Sequence, residues 1–139
     1  AHAAQPLLPP KAGETLVFLG DSITHQSLYT QYLENFLITR HPDLPLRFRN
    51  AGVAGDSAAD ALARFDEDVA RHRPRYVTVL LGMNDGGYED FNAERLARYR
   101  EDMVRLLDRI HGIGAQAILL SPTPFDHAVS TWRAEDPLL

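Results

Sequence analysis

The chain has 139 residues, of which 45% are hydrophobic and 24% are charged, a composition typical of one globular domain rather than of a disordered or fibrous protein. Fourteen Lys and Arg against nineteen Asp and Glu give a net charge of −5, which argues against nucleic-acid binding because such surfaces need clustered positive charge. No apolar run approaches the roughly 20 residues that span a bilayer, and the absence of cysteine excludes a disulfide scaffold and a cysteine nucleophile.

Residues 1–14 are predicted to form an extended tail that precedes the folded body. The segment begins without Met and contains Ala1-His2-Ala3-Ala4 followed by a proline-rich stretch. Such a start is typical of the residue left by a signal peptidase, or of a cloning remnant. We therefore expect a secreted or periplasmic protein, with a cytoplasmic one as the alternative.

Short apolar runs and amphipathic segments alternate along residues 15–139, which we predict to be one domain. Short apolar runs predict strands at Thr15–Leu19, Tyr76–Leu81 and Ala117–Leu120, and Leu46–Phe48 is a weaker strand candidate. Apolar residues at helical spacing predict helices with stripes over Leu28–Leu37, Ala58–Val69 and Leu96–Ile110. This alternation predicts an α/β fold in which helices cover both faces of a parallel sheet.

Glycine and small polar residues follow the first three strands. The blocks are Gly20-Asp21-Ser22-Ile23, Ala54-Gly55-Asp56-Ser57 and Gly82-Met83-Asn84-Asp85. Functional sites in open parallel sheets form beyond the carboxyl ends of the strands. Ser22 can supply a nucleophilic oxygen, Gly55 an unobstructed backbone N–H and Asn84 a carboxamide N–H, the groups that acyl transfer requires.

These three blocks, in this order, resemble those of the SGNH (GDSL-like) hydrolase family over about Thr15–Ser121. The resemblance implies a three-layer, flavodoxin-like fold with a parallel sheet of strand order 2-1-3-4. It implies serine-dependent hydrolysis of carboxylic esters, either small acyl esters or carbohydrate acetyl esters, through an acyl-enzyme. The implied catalytic residues are Ser22 as nucleophile, with Gly55 and Asn84 completing the oxyanion hole. The implied partner is a small-molecule ester, with no metal or organic cofactor. Gly52 is a rival for the role of Gly55.

The family's fourth block is an Asp-x-x-His that lies after a fifth strand and supplies the general base, and we expect no such block after Gly82. We therefore expect either that the domain lacks its C-terminal part or that the protein is a non-catalytic ligand-binding module on this scaffold. His127, preceded by Asp126, is the candidate for a substitute general base. The alternative interpretation is that His127 is a solvated loop histidine. A sheet of four strands also leaves strand 4 as an edge, which we expect missing residues, a partner chain or an oligomer to cover.

Several alternative interpretations of the same residues stay open. Ser22 alone is typical of a helix N-cap. The carboxylates of Asp21, Asp56 and Asp85 either hold Mg²⁺ or brace their loops. The basic residues from Arg64 to Arg75 are predicted to form a solvated helix end. Helical spacing predicts core positions for the aromatic residues Tyr29, Tyr32, Phe36, Phe65 and Tyr99.

Overall fold

A computed structural model describes residues 10–123, in which four strands form one parallel sheet. The strands are β1 (Thr15–Gly20), β2 (Arg47–Gly52), β3 (Tyr76–Leu80) and β4 (Gln116–Leu119). The helices are α1 (Ser22–His25), α2 (Leu28–Arg40), α3 (Ala58–Ala63), α4 (Phe65–Asp68), α5 (Met83–Gly86) and α6 (Ala93–Gly112), with a 3₁₀ turn at Ala70–His72. The spatial order β2-β1-β3-β4 confirms the predicted α/β topology. Most of the predicted tail, and Asp126 and His127, lie outside the described residues.

Strand β1 is one of the two inner strands of the sheet and is buried on both of its faces. Val17 and Leu19 belong to the core shared with α3 and α6, whereas Leu16 and Phe18 belong to the core under α2. Gly20 pairs with Gly52 on one side and with Leu80 on the other, so the three strands end at the same edge. This register brings the three sequence blocks to one end of the sheet.

The second predicted helix is broken at Arg64, which separates α3 from α4. Arg64 has φ −100° and ψ 7°, outside the helical range, and serves as the C-cap of α3. The apolar positions of the predicted stripe are nevertheless buried: Ala58, Ala61, Leu62, Phe65 and Val69. The periodicity therefore identified the buried face correctly but not the interruption.

Helix α2 covers its sheet face with one narrow stripe. Tyr29, Leu33 and Leu37 pack on the core, while Tyr32 and Phe36 are 79% and 54% exposed. The prediction that Tyr32 and Phe36 are core residues was wrong, because they lie on the helix face turned away from the sheet. Within residues 10–123, none of the helices combines the length and apolar character needed to cross a membrane.

Candidate active site

Ser22 is the first residue of α1 and follows β1 almost directly. The N-cap is Asp21, which is buried and whose Oδ1 accepts from the Ile23 N–H at 3.0 Å. The alternative that Ser22 caps this helix is therefore wrong. Its hydroxyl is not used in the cap, and its N–H lies in the first turn, where no earlier helical carbonyl accepts it.

Helix α1 approaches the strand ends more closely than a side chain would allow. A Cβ on Gly52 would lie 2.3 Å from the backbone N of His25 and 2.6 Å from the carbonyl carbon of Thr24. The Asn50 side chain reinforces this packing by donating to the Thr24 carbonyl at 2.7 Å. Gly52 is the alternative candidate for the oxyanion donor. The close packing of α1 explains why this position is a glycine.

Gly55 occupies the exposed turn after β2 and has a different reason to be glycine. Its φ is +86°, a conformation that L-residues rarely adopt, and no heavy atom lies within 4 Å of the position that a Cβ would take. The backbone at Gly55 is thus open to close approach by a ligand.

The carboxamide of Asn84 faces the Gly55 turn. Its Nδ2 donates to the Asp56 main-chain carbonyl at 2.8 Å, and the Tyr88 hydroxyl lies 3.2 Å from its Oδ1. These contacts orient the amide with its nitrogen towards the β2 loop. Since a carboxamide has two N–H groups, the bond to Asp56 leaves the second N–H for another acceptor.

Asp85 connects the β3 loop to the start of α3. Its Oδ1 accepts from the Ala58 N–H at 3.0 Å, while its buried Oδ2 has no hydrogen-bond partner among residues 10–123. Burial raises the pKa of Asp85 because it disfavours the charged form, and the Ala58 N–H opposes this shift.

The three strand-end aspartates are occupied separately rather than together. Asp21 caps α1, Asp56 pairs with Arg64 and Asp85 binds the N-terminus of α3. Across the described range, no cluster of three or more His, Asp or Glu side chains is placed to hold a metal ion. The three aspartates therefore do not form the shared magnesium site of that interpretation, and Asp21 caps the helix of its own loop, whereas Asp85 binds α3.

Arg64 is an important residue of this region that the sequence misassigned. The prediction of a solvated helix end was wrong for Arg64, because its side chain is only 18% exposed. Nε donates to Asp56 Oδ2 at 2.6 Å, and Nη2 donates to the main-chain carbonyls of Ala51 and Gly20 at 2.9 and 3.3 Å. These acceptors are distant in sequence, so the local pattern carried no signal for them.

Among residues 10–123, His25 and His111 are the histidines considered as a general base for Ser22. His25 ends α1 and is exposed, with Nδ1 3.1 Å from the Gly52 carbonyl oxygen. An Asp-x-x-His spacing does occur at Asp108–His111 within α6, so the expectation that none follows Gly82 was wrong. Both residues are exposed, and this end of α6 leads into the start of β4, so the pair lies at the opposite edge of the sheet from Ser22.

Two of the concavities formed by the described residues lie at different places on the sheet. A cavity of about 350 Å³ opens beside Asn84 and is also lined by Ser57, Asp85 and Tyr99. A strongly apolar groove of about 340 Å³ lies on the α2 face of the sheet, lined in part by Leu33, Leu37, Tyr76 and Ile118. The first adjoins the strand-end loops, and the second lies beside the core that α2 covers.

Comparison with known proteins identifies the family. The profile of the GDSL-like Lipase/Acylhydrolase family matches residues 18–138. The chain belongs to this family. The match confirms the resemblance carried by the three sequence blocks of this GDSL-like chain.

Curated relatives of the GDSL-like chain include esterases. It is 33% identical over 89 residues to the acetylxylan esterase of Geobacillus stearothermophilus, covering 53% of this chain and 41% of the relative. It is 29% identical over 116 residues to esterase TesA of Pseudomonas aeruginosa, covering 78% of this chain and 54% of the relative. The chain thus spans about half the length of the curated relatives it matches.

Solved structures give the same relationship. The crystal structure of Axe2, an acetylxylan esterase from Geobacillus stearothermophilus, superposes with a TM-score of 0.72 at 28% identity, covering 81% of this chain and 61% of that chain. LAE5, an α/β hydrolase from a lake metagenome, gives 0.73 at 29% identity, covering 81% and 62% of the two chains. Catalytic mutants of Axe2 replace a serine, an aspartate and a histidine, the last two three positions apart in that enzyme.

Proposed function

We propose that this chain carries the nucleophile and the oxyanion hole of an enzyme that hydrolyses carboxylic esters through an acyl-enzyme. The observation that carries the proposal is the joining of the loops: Asn84 binds the main chain next to Gly55, and the Val53 N–H donates to the Gly20 carbonyl at 3.0 Å. Ser22 begins the helix that follows Gly20. A hydroxyl and two kinds of N–H donor are thereby held at one edge of the sheet.

The proposed reaction begins with attack of the Ser22 Oγ on the ester carbonyl while a general base accepts the hydroxyl proton. The tetrahedral oxyanion accepts hydrogen bonds from the N–H groups of Ser22 and Gly55 and from Asn84 Nδ2. Collapse of the tetrahedral intermediate breaks the bond between the carbonyl carbon and the alcohol oxygen. The alcohol oxygen receives the proton from the general base and departs, and the acyl group stays on Ser22. Water then attacks this ester by the same sequence and releases the acid.

The general base in this proposal is a histidine that is not among residues 1–139. His127 is the alternative within the chain, and it lies outside the described residues. If the experiments below show that no base activates Ser22, they favour the alternative that the protein is a non-catalytic ligand-binding module.

The proposed substrates are small acyl esters, including acetyl esters on carbohydrate. Similarity to the acetylxylan esterase supports this class. The exposure of Gly55 supports it as well, because an open turn leaves room for a bulky alcohol beside a small acyl group.

Fluorophosphonate labelling tests the nucleophile. In the full-length protein that contains this chain, intact mass spectrometry should show one added phosphonyl group, and Ser22→Ala should show none. Ser121→Ala is the matched control, since Ser121 is exposed after β4, and it should label like the wild type. Labelling that persists in Ser22→Ala contradicts the assignment, and a full-length wild type that never labels favours the binding module.

The oxyanion role of Asn84 has its own test in steady-state hydrolysis of an aryl acetate. Asn84→Ala should lower kcat by roughly 10²–10³-fold with little change in KM, because the donor acts mainly in the transition state. Asn35→Ala, at an exposed position of α2, is the control and should leave both constants unchanged. A rise in KM at constant kcat would instead assign Asn84 to ground-state binding.

We also propose that the protein is exported and that a second subunit covers the β4 edge. The relative YqeF of Bacillus subtilis, 30% identical over 120 residues, is named an uncharacterized lipoprotein, which supports export. The exposure of Leu119 in β4 supports a covered edge. Cell fractionation and analytical ultracentrifugation check these two points, and a cytoplasmic monomer would contradict both.

A further inference from the structure

Arg64 reaches three separate parts of the proposed site from one largely buried position. Its Nη2 contacts the carbonyl oxygens of Gly20 and Ala51, the final part of β1 and of β2. Its Nε binds the Asp56 carboxylate, and the side chains of Arg64 and Asp56 are only 18% and 11% exposed. One guanidinium therefore crosslinks two strand ends and the loop between β2 and α3.

Two of these contacts, those to Gly20 and Asp56, lie close in the chain to groups proposed for catalysis. Gly20 lies two residues before Ser22, and Asp56 follows Gly55 directly. The main-chain carbonyl of Asp56 also accepts the bond from Asn84. A shift of Asp56 would therefore displace the Gly55 N–H and the Asn84 amide together, relative to Ser22.

The geometry requires arginine rather than a positive charge alone. Nη1 donates to Asp68 at 2.9 Å, so the planar fork is directed at two carboxylates and two carbonyls at once. A lysine ammonium presents its donors from a single atom and cannot reach this spread of acceptors. The two carboxylates also compensate the largely buried charge of the guanidinium.

We propose that Arg64 is a positioning residue that sets the spacing between Ser22 and the oxyanion donors Gly55 and Asn84. The inference rests on the proposed esterase function, and it assigns to Arg64 an effect on the chemical step rather than on substrate binding. Arg64 does not contact substrate in this proposal and acts through Gly20, Ala51 and Asp56.

The test compares Arg64→Lys with Arg71→Lys in the full-length protein. Arg71 pairs with Glu67 across one helical turn, and both side chains are largely exposed, so this control keeps the same change of residue type on the surface. Arg64→Lys should lower kcat by roughly 10–100-fold, the scale expected for a misplacement of about 1 Å, with KM nearly unchanged. Arg71→Lys should leave both constants at the wild-type value.

Two further variants separate positioning from a general loss of folding. Added methylguanidinium should restore part of the kcat of Arg64→Ala, whereas a globally unfolded variant would not respond. Asp56→Asn removes the ionic partner of Arg64 but keeps the carbonyl that Asn84 contacts, and it should lower kcat in the same direction. All variants are assayed below their measured melting transitions.

The possible outcomes separate this inference from the proposed function. Absence of Ser22-dependent hydrolysis in the wild type removes the esterase function and the inference with it. An active wild type whose folded Arg64→Lys and Asp56→Asn variants keep the wild-type kcat overturns the positioning role alone. A rise in KM with kcat unchanged also overturns it, because Arg64 would then act on binding.

Discussion

The two loops on either side of Ser22 are attached to the fold by different chemistry. In the β2 loop, residues 53–57, the Asp56 carboxylate forms an ion pair with Arg64, and the Val53 N–H donates to the Gly20 carbonyl. The β3 loop, residues 82–88, depends on contacts to main-chain groups: Asn84 to the Asp56 carbonyl and Asp85 to the Ala58 N–H. The Tyr99 hydroxyl adds a bond to the Leu81 carbonyl at 3.1 Å, just before the β3 loop.

This difference places an exposed loop and a half-buried loop side by side at one edge of the sheet. The β2 loop exposes Val53, Ala54 and Gly55, so few contacts besides those of the residues at its ends hold it in place. The β3 loop is half-buried from Gly82 to Asp85. We expect mutations of the anchors to matter most in the β2 loop, and buried polar groups to matter most in the β3 loop.

The largest expected effect separates two glycines at the end of β2. Gly52→Ala should lower the free energy of unfolding by about 3 kcal/mol, the upper part of the range for overpacking, because its Cβ would meet backbone atoms of α1. Gly55→Ala should cost only ~1–2 kcal/mol, the strain of a left-handed conformation, because its Cβ meets nothing. Urea unfolding measures both values.

The control for this pair is Gly112→Ala, at the end of α6, where a Cβ also has open space and the φ is not in the left-handed region. It should be neutral or slightly stabilising. Equal costs at Gly52 and Gly55 would mean that α1 moves aside readily, and the contrast between an anchored end and an open turn would be lost.

A smaller effect is expected where the β3 loop begins. Tyr99→Phe removes the donor to the Leu81 carbonyl and should lower the free energy of unfolding by about 1 kcal/mol, a typical value for one hydrogen bond. Tyr32→Phe is the matched control, because Tyr32 is 79% exposed on α2. Removing its hydroxyl should leave the free energy of unfolding unchanged. Chemical denaturation of both variants checks this. If Tyr99→Phe leaves the free energy of unfolding unchanged, the β3 loop does not need the hydrogen bond from the Tyr99 hydroxyl.

Most of the architecture was predictable from local patterns. The apolar run Thr15–Leu19 predicted strand β1, and the rule that sites follow strand ends brought Ser22, Gly55 and Asn84 to one edge. Both inferences use periodicity and the position of glycine, which are visible in a short window of sequence. The roles of Ser22, Gly55 and Asn84 in catalysis stay predictions.

The supporting residues were not predictable, for a physical reason. Arg64 stands in a run of charged residues that is typical of a surface helix, yet one of its acceptors is Gly20, 44 positions earlier in the chain. Likewise, the aromatic residues of α2 occupy two faces of the helix, and only the sheet decides which face is buried. Such contacts depend on the assembled fold rather than on neighbouring residues.

The smallest expected effect is a pH dependence that belongs to the β3 loop. Burial raises the pKa of Asp85 above its ordinary value, so the folded state binds this proton more tightly than the unfolded state. Ionised Asp85 therefore costs stability above that pKa, and the cost is relieved as the pH falls towards the ordinary carboxyl value. Asp85→Asn keeps an acceptor for Ala58 and has no titration, so the stability of the wild type relative to this variant should improve as the pH falls.

Asp60 provides the opposite sign in the same experiment. Hydrogen bonds from Ser57 lower the pKa of Asp60, so the stability that its carboxylate contributes is lost as the pH falls through that lowered value. Relative to Asp60→Asn, the wild type should therefore lose stability on acidification. Urea unfolding of the three proteins between neutral and acidic pH measures both slopes. Parallel pH profiles for wild type and Asp85→Asn would show that solvent reaches the Asp85 carboxyl, and the β3 loop would then be no more rigidly buried than the β2 loop.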